Sequence, residues 1–245
     1  MLKSLYRYGG VNSYDLLKAV AIITMIIDHI GYFFYQDIHF LRVIGRLSYP
    51  LFAFCVGYNQ KYRFDMDLFI LAVLACFSNI ILYPELKFMI RDSILKSSIL
   101  PSIIIIRLAM NYFKRFLTAK NLYLCTFILW CLAFKANYLF QYGTLGIIIA
   151  ICGYLCAIKS AEYKVFLYVN LILYLLFQAA LFRVNGFELA VLFIAFSFIA
   201  RYLKTFSILP INISGPVSTI LLFLSRYSLV IYFVHSLIFK LIYSL

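Results

Sequence analysis

The chain of 245 residues is 65% apolar and 19% aromatic, and only 13% of it is charged. Soluble domains stay near half apolar and a quarter charged, and one soluble core of this length has no room for so many apolar side chains. A soluble globule, a disordered chain and a disulfide-stapled secreted domain are therefore excluded, and the net charge of +13 reads as membrane topology rather than as nucleic-acid binding.

The apolar runs predict an all-α, polytopic transmembrane bundle, one integral membrane domain over residues 1–245. A helical span needs roughly 20 apolar residues. Nine runs are read, at 14–35, 44–59, 66–84, 94–113, 120–135, 137–159, 164–183, 186–204 and 217–241. The second is short and opens on Arg46. The stretch 120–159 is too long for one span, so a tight hairpin is expected at Lys135-Ala136-Asn137. The first run carries Asp28 and His29 and lacks a small-residue cleavage site, so it is expected to remain as a signal-anchor. With the N-terminus cytoplasmic, thirteen Lys and Arg fall inside and eight outside, and nine spans then place the C-terminus outside.

The six cysteines all lie within apolar runs and none forms a C-x-x-C pair. Cys152 and Cys156 share a helix face, but no His or acid stands nearby in sequence to complete a metal site. They read as small buried hydrophobes, and no metal is expected.

Ionisable groups inside a span are costly, so each is a functional candidate. Asp28 and His29 are adjacent in the outer half of the first run, followed by Gly31. Arg42 and Arg46 stand at i, i+4, a spacing that suits an anion or a carboxylate such as Asp28. Arg42 also reads as a cation snorkelling to head groups. Arg46 lies deeper, ahead of Tyr49 and Pro50, and Pro50 should break or kink its helix. His235 sits in the last run, at similar depth. Alone it reads as a structural His. Beside a second His, an Asp and an Arg it suits proton transfer near neutral pH. Tyr142, Gly143 and Gly146 open the sixth run, where the glycines permit a bend or close packing. Asn79, Asn170 and Gln178 read as hydrogen-bonding groups that hold helices together. Arg107 reads as snorkelling toward Lys114 or holding a cytosolic phosphate, Glu85 as a solvated loop acid, and His39 as simply exposed.

The segment Leu17 to Ile30, ending in Asp28-His29-Ile30, followed by Ile44-Gly45-Arg46-Leu47-Ser48-Tyr49-Pro50-Leu51-Phe52-Ala53-Phe54, resembles the TraX family, which includes the F-pilin acetylase of conjugative plasmids. Val56-Gly57-Tyr58-Asn59 continues the likeness, Tyr142-Gly143-Thr144-Leu145-Gly146 is similar to the family's Tyr-Gly-x-x-Gly motif, and Tyr232-Phe233-Val234-His235 is similar to its late segment ending in His. The stretch Ser97 to Ser102 departs from the Asn-rich opening expected there.

The resemblance implies a membrane acetyltransferase with acetyl-CoA as donor and a pilin or envelope glycan as acceptor, in a bacterial inner membrane. It suggests Asp28, His29, Arg46 and His235 as catalytic, and Arg42, Tyr49, Tyr142, Gly143 and Tyr232 become candidates for substrate contact. Membrane lipid is the other expected partner, and nucleic acid is not. No Ser or Cys stands out as a nucleophile, which favours direct transfer. The rival readings are a proton-coupled transporter, with Asp28, His29 and His235 as the relay, and a non-catalytic assembly factor for conjugation.

Overall fold

Hydrocarbon offers backbone groups no hydrogen bonds, so a chain of this composition folds into helices that satisfy their own. The computed structural model describes residues 10–82, 98–139, 142–182 and 185–243. Among them are α1 (Ser13–Phe33), α2 (His39–Gly45), α3 (Ser48–Asn59), α4 (Met66–Leu82), α5 (Ile99–Phe113), α6 (Ala119–Leu139), α7 (Leu145–Ala157), α8 (Tyr163–Phe182), α9 (Gly186–Lys204), α10 (Pro216–Arg226) and α11 (Ser228–Tyr243). Glu85 and the opening of the fourth apolar run lie outside the described residues, as does the side chain of Asn79.

The outward faces are apolar: Phe187 and Phe198 on α9 are 72% and 71% exposed. Water would not tolerate such a surface, and lipid does. Four stretches are long and apolar enough to cross a bilayer, namely Ser13–Phe33, His39–Asn59, Tyr163–Leu181 and Gly186–Lys204. The pair α10 and α11 makes a fifth, bent by 82°. Within α4, α5 and α7 the apolar helices are shorter.

Contacts between named residues give the directions. α1 begins at an Asn12–Asp15 capping box, and residues 11–13 pair with 209–211 after α9, through Ser13 N to Leu209 O at 3.0 Å and Ile211 N to Val11 O at 2.8 Å. The end of α3 returns to this face, where the Tyr14 hydroxyl donates to Cys55 O at 3.0 Å. So do the end of α7, through Cys156 and Phe206 O, and the start of α8, through Tyr163 and Leu203 O. α5 ends there too: Arg107 pairs with Asp65 ahead of α4 at 2.9 Å. Arg107 is thus committed to a carboxylate rather than to Lys114, and its hydrogen bond holds the Asp65 carboxyl below the ordinary range. α6 and α8 run side by side in the same sense, with Tyr123 near Phe166 and Phe134 near Phe177. Taking α2 with α3 and α10 with α11, the described helices make nine traverses of alternating direction, fewer than nine of which have the length of a full span.

The chain breaks differ from expectation in two places. The helix is continuous through Lys135-Ala136-Asn137 and runs to Leu139. The reversal comes later, where Tyr142 and Gly143 have φ of 64° and 49°. Polar residues alone do not stop a helix, whereas consecutive left-handed residues do. The last run is two helices meeting near Tyr227. Lys240, one of the eight cations that the sequence count places outside, is in the last turn of α11 and only 6% exposed. Pro50 acts as expected but at a distance. It sits in the first turn of α3, and having no N–H it offers nothing to the Arg46 carbonyl one turn earlier, so the break falls at Arg46-Leu47.

The tightest packing is between α3 and α7. A Cβ on Gly57 would collide with the Ala150 carbonyl, and one on Gly153 with the Phe54 carbonyl. Backbone cannot yield as a flexible side chain does, so Gly57→Ala should cost about 1–3 kcal/mol of stability through overpacking. Thermal unfolding in detergent checks it against Gly186→Ala, which has open space around it and should unfold like the parent. The alternation of traverses puts the end of α11 on the face opposite the start of α1. Alkaline phosphatase fused after Leu245 should therefore be active, and a cytosolic fluorophore fused there silent; the reverse pattern would contradict the nine-traverse arrangement.

Candidate functional site

Two histidines from the ends of the sequence meet inside the bundle. His29 is half-buried on α1 and His235 is 9% exposed on α11. His29 Nδ1 lies 2.8 Å from His235 Nε2, and His235 Nδ1 lies 2.6 Å from Ile231 O. A carbonyl only accepts, so His235 Nδ1 carries the hydrogen. The neutral ring then has its lone pair on Nε2, and the hydrogen between the rings belongs to His29 Nδ1. By the same logic His29 Nε2 holds a lone pair. The two tautomers are deduced from the carbonyl, and together they form a directed chain from His29 Nε2 to the Ile231 carbonyl.

Aromatic rings enclose this chain. Tyr232 lies 5.6 Å from His29 and 5.7 Å from His235, centroid to centroid, and Phe239 lies 5.5 Å from His235. The Tyr232 hydroxyl accepts from Ile99 N at 3.2 Å, which fixes α11 to the start of α5.

Asp28, one residue before His29, heads a second cluster. It packs directly against Gly45, where any Cβ would collide with its carboxyl. Arg42 Nη1 donates to Asp28 Oδ2 at 3.3 Å, and the guanidinium lies 4.8 Å from the Tyr32 ring centroid. The direct ion pair is therefore with Arg42, which does not merely snorkel. Arg46 acts on Asp28 through space, and its Nη1 donates to the Tyr142 hydroxyl at 3.2 Å. Tyr142 stacks on Tyr49 with centroids 3.9 Å apart and planes 14° apart. This stack and the Arg46 hydrogen bond hold Tyr142 in a left-handed conformation that ordinary residues avoid. Gly143 supplies the bend, and Gly146 admits the Tyr49 hydroxyl end. Asp28 and His29 are neighbours on α1, which joins the two clusters.

The sequence-derived candidates thus come together: His29, His235 and Tyr232 in one cluster, and Asp28, Arg42, Arg46, Tyr49, Tyr142 and Gly143 in the other. Among the described residues no group of three or more His, Cys, Asp or Glu is placed to hold a metal ion. On α8, sequence reasoning passed over Tyr174 and read Gln178 as a helix-holding group like Asn170. Asn170 does hold helices together, accepting from Trp130 Nε1 at 2.9 Å. Tyr174 and Gln178 do not: both are buried, at 0% and 1% exposure, and their polar side-chain atoms have no hydrogen-bond partner. Asn170, Tyr174 and Gln178 follow one another at i, i+4 on one face of α8, and that spacing was the available signal.

The Asp28–Arg42 pair can be tested by itself. Its side chains are 11% and 26% exposed, between a surface pair and a fully buried one, so Asp28→Asn and Arg42→Gln should each cost about 1–3 kcal/mol in detergent. The double substitution should cost clearly less than the sum. Additive costs would mean that the pair contributes nothing.

The family model described as TraX protein matches residues 13–242, and so takes in both clusters. An uncharacterized protein of Rickettsia prowazekii (strain Madrid E) is 31% identical over 155 residues, covering 62% of this chain and 59% of that protein. The match thus spans less than two thirds of that relative. No solved structure matches the chain. On the extent of the family match, the chain belongs to the TraX family.

Proposed function

We propose that the protein is an integral membrane acetyltransferase of the bacterial inner membrane, moving an acetyl group from acetyl-CoA to an amine or hydroxyl of a pilin or envelope acceptor. The observation that carries this reading is the hydrogen-bonded pair His29–His235, partly buried among aromatic side chains, with the Asp28 carboxylate one residue away on the same helix. Family membership supports the choice of acetyl transfer.

On this reading His29 Nε2 takes the proton of the acceptor as its nitrogen or oxygen bonds to the acetyl carbon. The positive charge that forms on His29 is shared with His235, because the Nδ1 hydrogen already points at His235 Nε2. The Ile231 carbonyl keeps His235 in the tautomer that can accept it. As the thioester carbon–sulfur bond breaks, the same proton returns from the pair to the departing thiolate, so the imidazoles end as they began. Arg46 and the Tyr142 hydroxyl supply donors for the negative charge on the acyl oxygen. Asp28 balances the guanidinium of Arg42. Acetyl-CoA supplies the acyl thioester. The exposed cations Lys61, Arg63, Lys114 and Arg115 lie near the Asp65–Arg107 pair, on the face where α1 begins, and have the sign its phosphates require.

The histidine pair also suits proton transport without acyl chemistry, and one preparation separates the two. Purified protein should transfer labelled acetyl from acetyl-CoA to envelope acceptors. His29→Ala should lower the rate by roughly 10²–10⁴-fold, the usual worth of a general base, and His235→Ala by less, since it acts through His29. Full turnover by His29→Ala would remove that residue from the mechanism. Proton flux in proteoliposomes without acetyl transfer would replace the enzyme reading with the transporter.

A further inference from the structure

Beside the second cluster lies a cavity of about 120 Å³ between α2, α8 and α9, lined by His39, Arg42, Val43, Arg46, Gln178, Glu188 and Leu192. Its volume is several times what a single water needs. Gln178 lines it while 1% exposed, with both Nε2 and Oε1 lacking a partner. A buried amide with neither end satisfied is expensive, and native structures rarely leave one without a ligand or water to meet it. The Tyr174 hydroxyl, one turn earlier on α8, is likewise buried and unpartnered, and it lies within electrostatic reach of Arg46 and Asp28.

The charges around the cavity are unequal. Two guanidiniums line it. Arg42 directs Nη1 at Asp28, and its planar fork has further donors. Against them stands Glu188, half-buried in the first turn of α9, where Oε2 accepts from Asn185 N at 3.1 Å. A bare anion would gain from the arginines and lose to Glu188. A ligand carrying a phosphodiester and an ammonium group a few bonds apart would satisfy both. We propose that this cavity is a head-group site for a phosphoethanolamine-type zwitterion, with the phosphate oxygens on the Gln178 amide and the Arg42 and Arg46 guanidiniums and the ammonium at Glu188. Such a group occurs on membrane lipids and on soluble or glycan-borne phosphoethanolamine, and the chemistry of recognition is the same for either. The site shares Arg46 with the proposed acetyl-transfer machinery, but its occupancy is read by binding alone and so stands or falls separately from that reading.

Delipidated protein in detergent is titrated with phosphatidylethanolamine, phosphatidylglycerol and glycerophosphoethanolamine, and bound adducts are counted by native mass spectrometry. Phosphatidylethanolamine should bind at least tenfold more tightly than phosphatidylglycerol. Gln178→Leu, which removes an unsatisfied amide and should fold at least as well, is expected to lose most of that binding. Glu188→Gln keeps the capping interaction at the start of α9 but removes the charge, and should bring the two lipids to equal affinity. Glycerophosphoethanolamine binding as tightly as the lipid supports the site and assigns it to a soluble or glycan-borne head group; markedly weaker binding supports it and assigns it to lipid. Equal retention of all three ligands by the parent and Gln178→Leu overturns the site. Lipid preference unchanged in Glu188→Gln overturns the zwitterion assignment.

Discussion

The hydrogen bond from His29 to His235 forms only if α1 and α11 lie side by side, and the contacts one and two turns further along show that they run the same way. That single requirement constrains everything between them. Two helices of the same sense are separated by an even number of reversals, so the intervening traverses have to alternate without a slip. The neighbouring contacts keep the same register: Phe33 meets Phe239 and Tyr243, and Gln36 Nε2 donates to the Tyr243 hydroxyl at 3.4 Å. At the opposite end of α1 the Ser225 hydroxyl donates to Asp15 at 2.6 Å, which ties α10 to the first turn of α1. The 82° bend between α10 and α11 then lets one run serve both ends, with α10 near the start of α1 and α11 along its second half.

The polar groups gather where the helical ladder is interrupted. Arg46 sits at the break that Pro50 imposes on its carbonyl, and Tyr142 sits at the left-handed turn ahead of α7. In hydrocarbon a broken ladder is tolerated only where protein or a polar cavity covers it. The Arg46–Tyr142 hydrogen bond and the Tyr49–Tyr142 stack cover both breaks at once. The same two interruptions that cost the helices regularity therefore deliver a guanidinium and a phenol to one place. Small residues set how closely the supports approach: Gly45 receives Asp28, and Gly57 and Gly153 bring α3 and α7 into backbone contact.

How much of this is legible in the sequence depends on the range of the interaction. Asp28, His29, Arg46 and His235 stand out because each is an ionisable group in an apolar run, a local property. The meeting of His29 and His235 is not legible, because 206 residues separate them and no local pattern encodes the helix order. The choice of Arg42 over Arg46 as the ion-pair partner of Asp28 was also hidden. It turns on the break at Arg46-Leu47, which gives the two arginines different surroundings despite their helical spacing. The misplaced corner at Lys135-Ala136-Asn137 shows the complementary error. Polarity marks where a helix is permitted to meet water, while backbone conformation at Tyr142 and Gly143 marks where it turns. Gln178 was read as helix glue by analogy with Asn170, and only the absence of any partner separates the two.

Depth along α1 gives the acetyl-transfer reading its geometry. His29 lies sixteen residues beyond Ser13, or about 24 Å at the rise of an α-helix, from the face where α1 begins and the exposed cations cluster. A donor held by its phosphates at that face has to extend its acyl arm through most of the bundle to reach the pair. On that reading an acceptor carried on an envelope molecule would approach from the other end, beside the Arg42–Arg46–Gln178 cavity. A base placed at the cation-rich face would meet the donor in water and leave the thioester open to hydrolysis. On that reading, setting it deep, beside the rings of Tyr232 and Phe239, would limit the access of water to the reacting carbon. The cost is two ionisable rings inside a membrane, and hydrogen-bonding them to one another, with a backbone carbonyl at the end of the chain, is how this fold keeps that cost tolerable.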